Sequence, residues 1–77
     1  MAFNMTLRQL PLGQTATIDQ VDGARAFRLR LLELGLVPGA TVQTCRVAPL
    51  GDPLEIAVRG GRLSIRKSEA EAIRVIP

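Results

Sequence analysis

A chain of 77 residues with a net charge of +3, one cysteine and no histidine is one small domain, without a disulfide framework and without the usual general base of acid–base catalysis. Its 47% hydrophobic content is that of a folded protein, while its apolar blocks, interrupted by Glu33 or Arg74, are far too short to span a bilayer. Nine of the ten basic residues are arginine, which favours an anionic or mixed partner surface.

Residues 1–13 read as an entry segment, with Leu7, Leu10 and Leu12 as packing residues and Pro11 and Gly13 ending it. Thr15 to Val21 is rich in β-branched residues and alternates loosely, so it predicts a first strand. Asp22 is placed to cap the helix that follows, by accepting from free N–H groups of its first turn. That helix is expected from Ala24 to Leu34. Ala24, Phe27, Leu31 and Leu34 fall on one apolar stripe, with Arg25, Arg28, Arg30 and Glu33 opposite. Leu29 and Leu32 do not fit the stripe and fall among the arginines. Gly35 is the expected left-handed stop, and Pro38-Gly39 suits the central positions of a type II turn.

The remainder reads as short strands: Ala40 to Val47, Leu54 to Val58, Arg62 to Lys67 and Ile73 to Ile76. The loop Ala48-Pro49-Leu50-Gly51-Asp52-Pro53 joins the first two, and Gly60-Gly61 is expected to be a two-residue hairpin turn. Ser68 to Glu71 predicts a single helical turn capped by Ser68. Five short strands with one α-helix between the first and second are too few for a two-sheet sandwich. A mainly β, small closed or nearly closed barrel disposes of its edges best.

Residues Leu31 to Gly39 spell Leu-Leu-Glu-Leu-Gly-Leu-Val-Pro-Gly. This resembles the L-x-x-LGL-x-PG signature of the ferrous iron transport protein A (FeoA) family, carried here by Leu31, Leu34, Gly35, Leu36, Pro38 and Gly39. The resemblance continues in register through the 48–53 loop, the hairpin strands and the ending Glu69 to Val75, and covers about residues 7 to 76. It implies an SH3-like β-barrel and a small cytosolic protein that accompanies the ferrous iron permease FeoB. It also implies transition-metal binding, of iron or zinc, and a kinship with the C-terminal domains of metal-dependent repressors. No cofactor is required by this reading.

The residues themselves support some of this. No catalytic set is present: Cys45 has no histidine to activate it, and Asp52, Glu55, Glu69 and Glu71 read as solvated surface carboxylates. No metal cluster is recognisable, and Cys45 reads as a small core residue. Arg46, Arg59, Arg62, Arg66, Lys67 and Arg74 on or beside strands raise nucleic-acid binding as a rival. Binders of that kind use aromatic platforms, and here Phe27 belongs to the helix stripe while Phe3 lies in the tail. A metal-sensing regulatory domain is the third reading. Partner binding needs only surface. The expected interface is Arg25, Arg28, Leu29 and Leu32, with Leu50 at a loop tip as a second anchor. The alternative for Leu29 and Leu32 is a helix clamped on two sides. The N-terminus carries no secretion signature, so the cytoplasm is the expected location. Pairing of chains through barrel edges or the leucine patch stays open.

Overall fold

The computed structural model describes residues 5–77; Phe3 lies outside them. In chain order these form β1 (Met5–Thr6), a 3-10 turn (Leu7–Gln9), β2 (Thr15–Val21), α1 (Arg25–Glu33) and β3 (Thr41–Val47). Then come β4 (Leu54–Val58), β5 (Gly61–Ile65), α2 (Lys67–Glu71) and β6 (Ile73–Ile76). The strands form one sheet, β1-β6-β2-β3-β4-β5, with every neighbouring pair antiparallel. The expected five strands thus become six. The addition is Met5–Thr6, which pairs with Val75 and Arg74 and is too short to show any periodicity.

The sheet curls into a barrel around one core. Leu7, Ile18, Val42, Ile56, Ile65 and Val75 all belong to a single buried cluster. Met5 of β1 and Leu63 of β5, from the two outermost strands, pack against that same cluster, which a flat sheet would not allow. Two bulges sharpen the bend, one in β2 between Ile18 and Gln20 and one in β3 between Thr44 and Arg46. A bulge adds one unpaired residue and turns the strand.

The alternation of β3 corrects the reading of Cys45. Val42 and Thr44 point inside, so Cys45 falls on the other face and is only half-buried. Its thiol donates to the Gln43 carbonyl at 3.7 Å. The buried polar residue beside it is Thr44, whose Oγ1 is enclosed and has no hydrogen-bond partner among the described residues. Such an orphan hydroxyl costs about 1–3 kcal/mol. Thr44→Val removes it at nearly constant shape, so the melting temperature is expected to rise by roughly 4–8 °C for each kcal/mol regained. A thermal melt that falls instead would show that the hydroxyl is satisfied.

Helix α1 begins one residue later than expected, with Ala24 at its N-cap and no side-chain cap. Asp22 does not cap it, because its carboxylate is engaged elsewhere. One oxygen accepts from Gln20 Nε2 and the other from Arg74 Nε at 2.7 Å. Only Leu31 of the expected stripe is fully buried. Phe27 is half-buried, Ala24 is exposed, and Leu34 is 45% exposed because the chain turns away there. Gly35 supplies the left-handed stop at φ +96°. A Cβ at this position would also lie 3.1 Å from Arg59 Cδ. Leu36 then drops into the core. Gly39, at φ +91°, occupies the third position of a turn closed by the Ala40 N–H on the Val37 carbonyl at 3.0 Å, as a type II turn requires.

The second hairpin turns one residue earlier than Gly60-Gly61. Val58 pairs with Gly61, leaving Arg59 and Gly60 as the two-residue loop, at φ +52° and +77°. Both central residues of such a turn need positive φ; here an arginine takes the first place. Its side chain lies against Gly35.

Two further expectations fail at the ends of the chain. Leu7 and Leu10 are buried, but Leu12 is 64% exposed. Ser68 does not cap the last helix. Glu69 does the work by folding back, its Oε1 accepting the Arg66 N–H at 2.7 Å, while its Oε2 pairs with Arg30 of α1. Glu69 is therefore a buried carboxylate rather than a solvated one. Glu69→Ala strips a cap and leaves a void beneath Arg30. A loss of about 2 kcal/mol is expected in urea unfolding, and an unchanged midpoint would refute this role.

Candidate partner-binding surface

Strand β2 pairs with β3 only through Thr15, Ala16 and Thr17. Beyond them Ile18 is still held, its N–H on the Ala40 carbonyl and its carbonyl on the Gly39 N–H. The bulge follows, and β2 continues to Val21 paired only with β6. Helix α1 lies over the gap so opened. The result is a groove of about 270 Å³ lined by Asp19, Gln20, Val21, Arg28, Leu32 and Pro38.

Two of the predicted interface residues thus meet in a concave site. Arg25, Arg28, Leu29 and Leu32 are spaced at i, i+3, i+4 and i+7, so they share one helix face. Leu29 is 45% exposed. Leu32 is half-buried, because it forms one wall of the groove. The barrel holds the helix through Leu31 and Phe27 and leaves this other face open. Arg25 and Arg28 form no ion pair among the described residues, whereas Arg8, Arg30, Arg62 and Arg74 each hold a carboxylate. The face therefore offers two uncompensated guanidinium groups around an apolar strip, with Asp19 at one edge. An apolar centre inside a charged rim suits a modest protein interface.

Leu50 is not part of this site. It stands 92% exposed on the β3–β4 loop, beside a separate hollow of about 210 Å³ lined by Arg46, Ala48, Pro49, Pro53, Glu55 and Ser64. The two hollows share no residue. Near the second one, Arg62 donates to Glu55 Oε1 at 2.8 Å. That hydrogen bond, helped by the nearness of Cys45 and by the Glu55 charge, raises the Arg62 pKa, so the guanidinium stays charged at any working pH.

Sequence reading missed Asp19, Gln20, Val21 and Pro38 as groove residues. A signal existed: Ala16 and Ile18 alternate inward, but the next inward residue is Val21, one place late. That extra polar residue is the bulge. Of the signature residues, Leu31 and Leu36 are core, Gly35 and Gly39 set the backbone, Leu34 is exposed, and Pro38 alone lines the groove. Among the described residues no three His, Cys, Asp or Glu side chains gather into a group able to hold a metal ion.

A six-stranded antiparallel barrel with one helix between β2 and β3 is an SH3-like domain. The FeoA domain family matches residues 5–77. The chain belongs to that family, whose members take part in ferrous iron transport. Its fold is shared with the solution structure of FeoA from Chlorobium tepidum, at 44% identity and a TM-score of 0.87 over 94% of this chain and 69% of that one. FeoA of Stenotrophomonas maltophilia, solved with zinc and described as a prokaryotic SH3 domain protein, is 37% identical with a TM-score of 0.80, over 92% and 88% of the two chains. A curated relative is the Fe(2+) transport protein A/Fe(2+) transporter FeoB fusion protein of Porphyromonas gingivalis, 38% identical over 71 residues. These are 92% of this chain but 8% of the relative, so the chain spans less than a tenth of that protein's length.

Proposed function

We propose that this chain is an accessory protein of ferrous iron uptake, which binds the cytosolic part of an FeoB-type permease through the α1 face and its groove and so modulates transport. The observation that carries this reading is the fused relative, in which a segment like this chain and an FeoB transporter are one polypeptide. Fusion fixes a high effective concentration of one module about the other, which is useful only when the two act together. Family membership supplies the iron. The exposed Leu29, the groove wall Leu32 and the free Arg25 and Arg28 supply a surface of suitable anatomy. None of the helices in the described residues is long and apolar enough to cross a membrane, and the reading places the chain at the cytoplasmic side of the permease.

The test is a calorimetric titration of the chain against the permease's isolated cytosolic portion. Saturable one-to-one binding that weakens as salt rises is the expected result, since two unpaired arginines line the rim. Absence of heat at concentrations well above those of ordinary signalling interfaces would end the reading.

A further inference from the structure

The β3–β4 loop is built unlike the rest of the surface. Leu50 at its tip is 92% exposed, whereas the next most exposed large apolar residue among the described residues, Leu12, stands at 64%. The tip is also braced by hydrogen bonds. The Ala48 N–H bonds the Pro53 carbonyl at 3.1 Å, and the Gly51 N–H bonds the Ala48 carbonyl at 2.7 Å. Asp52 Oδ1 accepts the Lys67 N–H at 3.0 Å, fastening the loop to the start of α2. A leucine presented on so braced a loop loses little further entropy when it is buried by something else.

The charges around this tip are mostly positive. Arg46 lines the hollow with Ala48, Pro49 and Pro53. Lys67 touches Asp52 through its backbone, and Arg66 precedes it. None of Arg46, Arg66 and Lys67 forms an ion pair among the described residues. Arg62 neutralises Glu55 nearby. Asp52 is the one carboxylate left at the tip, so cations prevail there. The apolar part is Ala48, Pro49, Leu50 and Pro53.

We propose that this tip is a membrane-surface contact, in which Leu50 and the prolines enter the headgroup region of an anionic bilayer while Arg46, Arg66 and Lys67 meet lipid phosphates. The shape favours a lipid surface over a protein pocket. A lone aliphatic knob with cations around it asks for a fluid, anionic, deformable partner, and interfacial anchors combine these two ingredients. A second copy of the chain is disfavoured, because facing tips would bring the same cations together. The contact reaches only headgroup depth and involves no spanning segment. It is independent of the α1 face, and it would hold the chain at the bilayer in which a permease sits.

The experiment is co-sedimentation of the full chain with vesicles of equimolar phosphatidylglycerol and phosphatidylcholine, against vesicles of phosphatidylcholine alone, at low and high salt. The expected result is partition into the anionic vesicles only, weakening as salt rises. Leu50→Glu is expected to lower that partition by about tenfold or more, since it removes the apolar anchor and adds a like charge. Arg66→Ser with Lys67→Ser is expected to lower it by roughly thirtyfold, taking about fivefold per basic residue. Circular dichroism of each variant checks that the barrel stands, and Leu50→Ser provides a second anchor variant without added charge. No sedimentation with anionic vesicles at low salt overturns the proposal. So does equal uptake by neutral vesicles, or a Leu50→Glu variant that sediments like the parent. Loss of permease binding on Leu50→Glu, without any vesicle binding by the parent, assigns the tip to a protein and also overturns it. A chain altered at Leu29 and Leu32 is expected to keep its vesicle partition, so failure of the α1 interface and failure of this one read out separately.

Discussion

Exchanging Leu29 and Leu32 together for glutamate is expected to weaken binding to the cytosolic part of FeoB by about thirtyfold or more, with the melting temperature of the free chain shifted by only a few degrees. The size follows from what central apolar anchors contribute: truncating one typically costs about 2 kcal/mol or more. Glutamate does more than truncate. It puts carboxylates between Arg25 and Arg28, so the two guanidinium groups pair within the chain instead of across the interface. The small effect on folding follows from position, since Leu29 is 45% exposed and Leu32 is a groove wall rather than core. Calorimetry and a thermal melt on the same preparation decide the matter. A folded double variant that binds like the parent would move the interface off α1.

The reverse pattern is expected for Leu31→Ala. Leu31 is one residue from Leu32 but faces the barrel, fully buried among the core residues. Removing its branched end costs the transfer of three carbon groups plus the cavity left behind, about 2–5 kcal/mol for leucine in a packed core. A domain of this size loses roughly 4–8 °C of melting temperature per kcal/mol, and its whole stability is of the order of 5–15 kcal/mol. The variant is therefore expected to melt at least about 10 °C lower and to lie near unfolding at physiological temperature. Leu34→Ala, at the exposed end of the same helix, is the control and is expected to change the melt little. If both leucines cost the same, the inward placement of Leu31 is wrong.

Much of the architecture was legible because strands announce themselves by alternation. The bounds of β2, β4 and β6 coincide with the readings from Thr15 to Val21, Leu54 to Val58 and Ile73 to Ile76. Gly35 and Pro38-Gly39 were legible because positive φ selects glycine. What could not be read were effects of residues distant in sequence. Asp22 looks like a cap until Arg74 takes its carboxylate. Glu69 looks solvated until α1 lays Arg30 against it. Cys45 looks like core until Val42 and Thr44 prove to be the inward residues of its strand. The hairpin turn slipped by one residue because Arg59 adopts a conformation that sequence rules reserve for glycine and asparagine. For the surface, the helix face was legible from the leucines left off the stripe. The strand that forms the far wall of the groove was not, since β2 opens there only because of its bulge.

The ion pair between Glu69 and Arg30 also fixes an azimuth. Arg28 and Arg30 project on nearly opposite sides of α1, so Glu69 grips the helix from behind the groove. A short helix seated on Leu31 and the half-buried Phe27 can roll about its own axis, and a roll of one residue would carry Leu32 out of line with Val21 and Pro38. Glu69 opposes that roll with a carboxylate fastened in turn to the Arg66 backbone. The aperture of the groove is thus set by a torsional stop nearly forty residues away along the chain. Residues of α2 that do not line the groove hold the jaw at its width.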